Sequence, residues 1–90
     1  MREGMVTVTN SLGLHARAAA QLVKAAGRFE SRIMLLREDK NIEANAKSIL
    51  SVLTLAAAAG TRLRLTTDGK DEDTAYEAVS KLFENGFGER

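Results

Sequence analysis

Asn10-Ser11-Leu12-Gly13-Leu14-His15-Ala16-Arg17 is the stretch at which extended chain gives way to helix, and its neighbours are read outward from it. Upstream, Met5-Val6-Thr7-Val8-Thr9 alternates apolar and polar side chains, the period of a half-buried strand. Downstream, Ala16 to Ala26 is rich in Ala, Leu, Gln and Lys, contains no proline and stops at Gly27, which predicts a helix. His15 therefore falls near the N-cap. The first N–H groups of a helix lack internal acceptors, and the macrodipole leaves partial positive charge there. Such a place holds anions. His15 is the only histidine in 90 residues. A neutral imidazole at an anion site, with Arg17 two residues on, has the chemistry to accept, hold and pass on a phosphoryl group.

Ninety residues predict one small domain, residues 1–90, with a single core. At 44% hydrophobic and only 4% aromatic residues, that core should be aliphatic. Lys and Arg number 13 against 12 Asp and Glu, without the basic excess that a general nucleic-acid binder shows. Cysteine is absent, so disulfides and thiolate metal sites are excluded, and a lone histidine argues against a transition-metal site. No cofactor is expected. Met1-Arg2-Glu3-Gly4 lacks the apolar core of a signal peptide, and Lys47 and Arg62 bracket the longest apolar run. A soluble, cytoplasmic, monomeric protein is expected, with neither membrane nor nucleic acid as partner.

Along the first helix, Ala19, Leu22, Val23 and Ala26 share one face, while Ala16, Ala20 and Lys24 lie on another and stay exposed. Ile33-Met34-Leu35-Leu36, within Arg32 to Arg37, predicts a strand; Glu38-Asp39-Lys40-Asn41 is polar and turn-like, and Asn41 to Ala44 reads as a short return strand. Ser48 caps a second helix whose apolar face is Ile49, Val52, Leu53 and Ala56, with Leu50 off it. Gly60-Thr61 breaks the run. Arg62 to Thr67 alternates as a strand with Leu63 and Leu65 inward. The last helix begins near Asp71, carries Glu72 and Asp73 where negative charge is favoured, and ends at Asn85-Gly86. Its buried stripe is Ala75, Ala78, Val79, Leu82 and Phe83.

The order β-α-β-β-α-β-α, with strands that alternate, predicts an α+β fold: an open-faced β-sandwich. A four-stranded antiparallel sheet has three helices packed on one face. With one helix–sheet interface as the whole core, Leu22→Ala or Val79→Ala should cost about 2–4 kcal/mol.

Gly13-Leu14-His15-Ala16-Arg17 followed by Ala19-Ala20-Gln21-Leu22-Val23 resembles the active-centre segment of the HPr family. These are histidine-containing phosphocarriers of the phosphoenolpyruvate-dependent phosphotransferase system. Lys47-Ser48-Ile49-Leu50 resembles the family's regulatory-serine segment, and the likeness spans essentially the whole chain. It implies that enzyme I phosphorylates His15 on Nδ1 and that the group passes to an enzyme IIA. It makes the protein a carrier rather than a turnover enzyme. Arg17 becomes the electrostatic partner of the phosphoryl group. With His15 as N-cap, Ala16, Arg17 and Ala18 take the first three helical positions, whose amides lack internal partners; those of Ala16 and Arg17 are expected to hold the group, with Ala18 contributing weakly or not at all. Ser48 becomes the target of HPr kinase/phosphorylase in lineages that have one. Ala16, Ala20 and Lys24, with Ile49, Leu50 and Leu53, would dock partners.

Two features depart from the family. Ala18 stands where proline is usual, and the stretch from His15 to Ser48 is slightly long, which points to a longer turn near Asp39-Lys40-Asn41. They leave open a regulatory or nitrogen-branch carrier that acts through phosphorylation-dependent binding. The plain alternatives are an idle loop histidine at position 15, one more solvated cation at Arg17 and a simple cap at Ser48. Against the second, a cation in a first helical turn opposes the dipole and calls for an anion.

Overall fold

The computed structural model describes residues 1–89. Its strands are β1 (Arg2–Thr7), β2 (Arg32–Arg37), β3 (Ile42–Asn45) and β4 (Arg62–Asp68), and its helices α1 (Ala16–Ala26), α2 (Ile49–Leu53) and α3 (Glu72–Glu84). A single 3₁₀ turn, Gly86–Gly88, follows α3. The sheet is antiparallel throughout, in the order β1-β4-β2-β3. One row across its inner face runs Gly4, Leu65, Leu35, Ala44. The helices cover that face, and Glu3, Met5, Arg32, Glu43 and Arg62 on the other stand in solvent.

The first strand lies earlier than its alternation suggested. It covers Arg2–Thr7, and Val8 continues only through two backbone bonds, to Thr61 and Gly60. α1 begins and ends as expected, with Ala19, Leu22 and Ala26 fully buried; Ala18 is buried too, and Val23 only half-buried. The stripe of α3 narrows to Ala75, Val79 and Phe83, with Ala78 and Leu82 half-buried at its margins.

α2 differs most. It has five residues, and the chain leaves it at Thr54 before Ala56 takes a left-handed φ of 46°. Its inward residues are Val52 and, beyond its end, Leu55. Ile49 and Leu53, expected on the buried face, are 39% and 38% exposed, and Ala56 is exposed as well. The i, i+3, i+4, i+7 pattern fails here because the helix ends before its second turn closes.

The β2–β3 connection is a turn over residues 38–41 with Asn41 at φ 53°. It gives Arg37 a task. Arg37 pairs with Asp39 and donates through Nη1 to the Leu55 and Ala56 carbonyls at 2.8 and 2.9 Å, groups that the end of α2 leaves without helical donors.

Asp71 is the N-cap of α3, yet its carboxylate does not cap its own helix. It accepts from the Ser31 hydroxyl and from the Glu30 and Ser31 amides at 3.0 and 2.9 Å, tying the α1–β2 connection to the β4–α3 connection. These bonds, the Ser31 hydroxyl's first, lower its pKa from 3.8 to about 2. A carboxyl with a depressed folded pKa stabilises fully above its unfolded value and loses that contribution as pH falls towards the folded one. Asp71→Asn should therefore lower the urea midpoint at pH 6, and the gap to the parent should close between pH 4 and pH 2. Midpoints that stay equally far apart across that range would refute this role.

Candidate active site

His15 is the N-cap of α1, extended at φ −78° and ψ −178°. The loop before it is held from three sides. Gly13 takes φ 73°, and a Cβ there would stand 2.6 Å from the Ala57 carbonyl oxygen. That same oxygen accepts from the Leu14 amide at 2.9 Å. The close approach of the segment after α2 thus needs a glycine at 13 and fixes the residue before His15. Asn10, fully buried, donates Nδ2 to the Gly13 carbonyl at 2.7 Å.

The imidazole is half-buried, with 26% of the side chain exposed. Nδ1 accepts from the Arg17 amide at 3.4 Å, a long capping bond, so this nitrogen presents its lone pair to the first turn of α1. Nε2 lies 2.6 Å from Glu89 Oε1. Glu89 also accepts from Asn10 Nδ2 at 2.9 Å, and its other oxygen is 4.0 Å from Arg17 Nη1. The bond from His15, then that from Asn10, hold the Glu89 carboxyl below its ordinary pKa. Among the described residues the Ala16 and Ala18 amides have no acceptor, which leaves donors free at the helix start. Arg17 is 73% exposed. An exposed cation, the unpartnered Ala16 amide and an imidazole lone pair thus converge on one open corner, where an anion could bind beside a nucleophile.

Ser48 is the N-cap of α2 and accepts from the Ser51 amide at 3.3 Å. Beside it, Lys47 Nζ donates to the Phe29 carbonyl at 2.6 Å, near the end of α1. α1 and α2 pack together. Ala16, Ala20 and Lys24 on the first, and Ile49, Leu50 and Leu53 on the second, are exposed; Leu50, at 75%, is the most exposed of the three on α2. Leu12, in the loop before His15, is 67% exposed and was not singled out from the sequence. Among the described residues no three His, Cys, Asp or Glu side chains are grouped to hold a metal ion. None of the described helices is long and apolar enough to cross a membrane.

The protein-family model described as "PTS HPr component phosphorylation site" matches residues 3–85. The chain belongs to the HPr family. The phosphocarrier HPr of Xylella fastidiosa (strain Temecula1) is 53% identical over 89 residues, covering 99% of this chain and 98% of the relative. HPr of Treponema pallidum is 49% identical over 84 residues, 93% of each. Among solved structures, HPr-C-His from Thermoanaerobacter tengcongensis superposes with a TM-score of 0.93 at 38% identity, covering 100% of this chain and 99% of that one. HPr from Bacillus anthracis gives 0.85 at 34% identity, over 91% and 95%. This chain is thus an HPr phosphocarrier of the phosphotransferase system, with the family's open-faced sandwich.

Two residues of this HPr site were missed from sequence. Asn10 carries no sequence signal of a site role, because a loop asparagine is ordinarily a turn residue. Glu89 carries none either. The only local hint is Gly86-Phe87-Gly88, a tight turn after the last helix, and nothing in it says where the next side chain lands.

The departure at position 18 is placed in the core: Ala18 is fully buried, while its amide is unpaired among the described residues. A proline there forfeits no existing bond, and its φ near −65° suits a first turn. Ala18→Pro should fold and change transfer rates by less than about tenfold, equivalent to ~1.4 kcal/mol. A folded variant slowed a hundredfold or more would make the Ala18 amide part of the anion site.

Proposed function

We propose that His15 Nδ1 accepts a phosphoryl group from phosphorylated enzyme I and passes it to an enzyme IIA. The observation that carries this reading is the orientation of the ring. Nε2 is engaged by Glu89, and Nδ1 faces the Arg17 amide at the N-terminus of α1 with its lone pair available. In the forward step that pair attacks phosphorus while the donor's N–P bond breaks, its electrons leaving on the donor nitrogen. The Arg17 guanidinium and the amides of Ala16 and Arg17 offset the charge of the bound phosphoryl, with Ala18, fully buried, contributing weakly or not at all. Mass spectrometry after incubation with enzyme I and phosphoenolpyruvate tests this. One acid-labile phosphoryl group on His15, transferable to an enzyme IIA, is expected, and its absence would sink the proposal.

The exposed faces of α1 and α2 are assigned to docking: Ala16, Ala20 and Lys24 beside Ile49, Leu50 and Leu53. Such a surface, apolar with a basic edge, suits a partner whose own site must close over His15. Ser48, at the edge of this surface, is read as a regulatory position, the target of a serine kinase where the cell has one. A negative charge at an N-cap is compatible with the helix, so the modified protein stays folded. Ser48→Asp should fold normally and slow phosphorylation by enzyme I about tenfold or more, because docking must desolvate the new charge. Unchanged transfer would reduce Ser48 to a cap.

A further inference from the structure

Glu89 makes the shortest contact at the site and has no part in the strands and helices that build the sheet and its cover. It also lies outside residues 3–85, the span the family model shares. Its placement is nonetheless tightly controlled. Gly86, Phe87 and Gly88 all take left-handed backbone, at φ 59°, 55° and 74°. For a bulky residue such as Phe87 this conformation is strained, and it persists only where packing enforces it. Phe87 is 3% exposed, its ring edge-on to Phe83 with centroids 5.0 Å apart. The anchored turn sends the chain back to α1. There the Glu89 side chain, only 14% exposed, reaches both Asn10 and His15.

We propose that Glu89 is a positioning residue for phosphoryl transfer: its carboxylate holds the proton on His15 Nε2, so that Nδ1 alone carries the lone pair that takes the group. This rests on His15 being the acceptor. An ionised carboxylate can only accept, so a contact of 2.6 Å requires the hydrogen to be on Nε2. Nδ1 independently behaves as an acceptor towards the Arg17 amide. The opposite tautomer would set a lone pair against the carboxylate at one nitrogen and a hydrogen against an N–H at the other. The bonds from His15 and Asn10 also favour ionised Glu89.

The consequence for the chemistry is that no proton needs to move. When Nδ1 bonds to phosphorus and the donor N–P bond breaks, His15 keeps its Nε2 hydrogen and the ring becomes cationic. The positive charge develops against the Glu89 carboxylate, fixed in place beforehand. In onward transfer the new N–P bond breaks, its electrons return to Nδ1, and the ring is neutral again. Glu89 acts on the reacting nitrogen through the ring and never touches the phosphoryl group.

The test uses the full chain with ¹⁵N-labelled histidine. In the unphosphorylated parent, His15 Nε2 should carry a protected, downfield proton resonance. Glu89→Ala should lose that resonance, keep its melting transition, and be phosphorylated by enzyme I about tenfold to a hundredfold more slowly. Glu89→Gln, which keeps the shape but not the charge, should fold in any case and also be slowed. Parent-like rates in both variants would overturn the proposal. So would slow transfer with the Nε2 resonance intact, which would move the role to docking. Failure of the parent itself to be phosphorylated at His15 would instead defeat the acceptor reading, while the Nε2 resonance would still report on the contact.

Discussion

His15→Ala stays at its unmodified mass after incubation with enzyme I and phosphoenolpyruvate, while the parent gains one phosphoryl group. The effect is expected to be complete, because the chain holds no second histidine to take over. The fold should survive. His15 is partly exposed, and the capping bond it accepts is long at 3.4 Å, so its loss costs about 1 kcal/mol, or some 4–8 °C in melting temperature. Circular dichroism alongside the mass measurement separates the two effects. An unfolded variant would mean that His15 is there for packing, and a phosphorylated one that the acceptor lies elsewhere.

The largest effect on stability is expected from Phe83→Ala, at about 3–5 kcal/mol. Phe83 is the largest of the fully buried side chains, on the inner face of α3, and its ring supports Phe87. Removing it leaves a void that the sheet cannot collapse to fill, since the sheet is held by its own hydrogen bonds. Against a total stability on the order of 5–15 kcal/mol, such a loss brings the domain close to unfolding at ambient temperature. Urea titration gives the number. A cost under about 1.5 kcal/mol would show that the α3 interface is far more plastic than its burial implies. A variant that remains folded should also lose the anchored turn, so its transfer rate should fall as in Glu89→Ala.

Local signals read well wherever the cause is local. The α1 boundaries, the Ser48 cap and the inward Leu63 and Leu65 all follow from capping chemistry and side-chain period, and all stand in the structure. The faces of α2 were misread because a periodicity argument presumes a helix long enough to have a face. Here the helix stops at Leu53, and Arg37 at the end of β2 takes up the Leu55 and Ala56 carbonyls just beyond it. Asp71 illustrates the opposite case. Its position at a helix start was legible, but its side chain serves a loop some forty residues earlier. Glu89 was illegible for the same reason, since its partner is 74 residues away and only the assembled core brings the two together.

The strand order has a consequence for how the protein is made. β1 pairs with β4 alone, and β4 also divides β1 from β2. As the chain emerges from the ribosome at about 5–20 residues per second, β1 waits several seconds before its partner exists. In that interval β2 and β3 can form their hairpin and α1 can flicker into shape, but Val6 and Val8 have nothing to lie against. The phosphoryl site is completed later still, since Ala57 must arrive to hold Leu14 and Glu89 to hold the imidazole. A nascent HPr therefore presents its histidine long before that histidine is oriented for transfer. The nascent chain that β4 has yet to join, with β1 still unpaired, is the species most exposed to chaperones and to wrong partners.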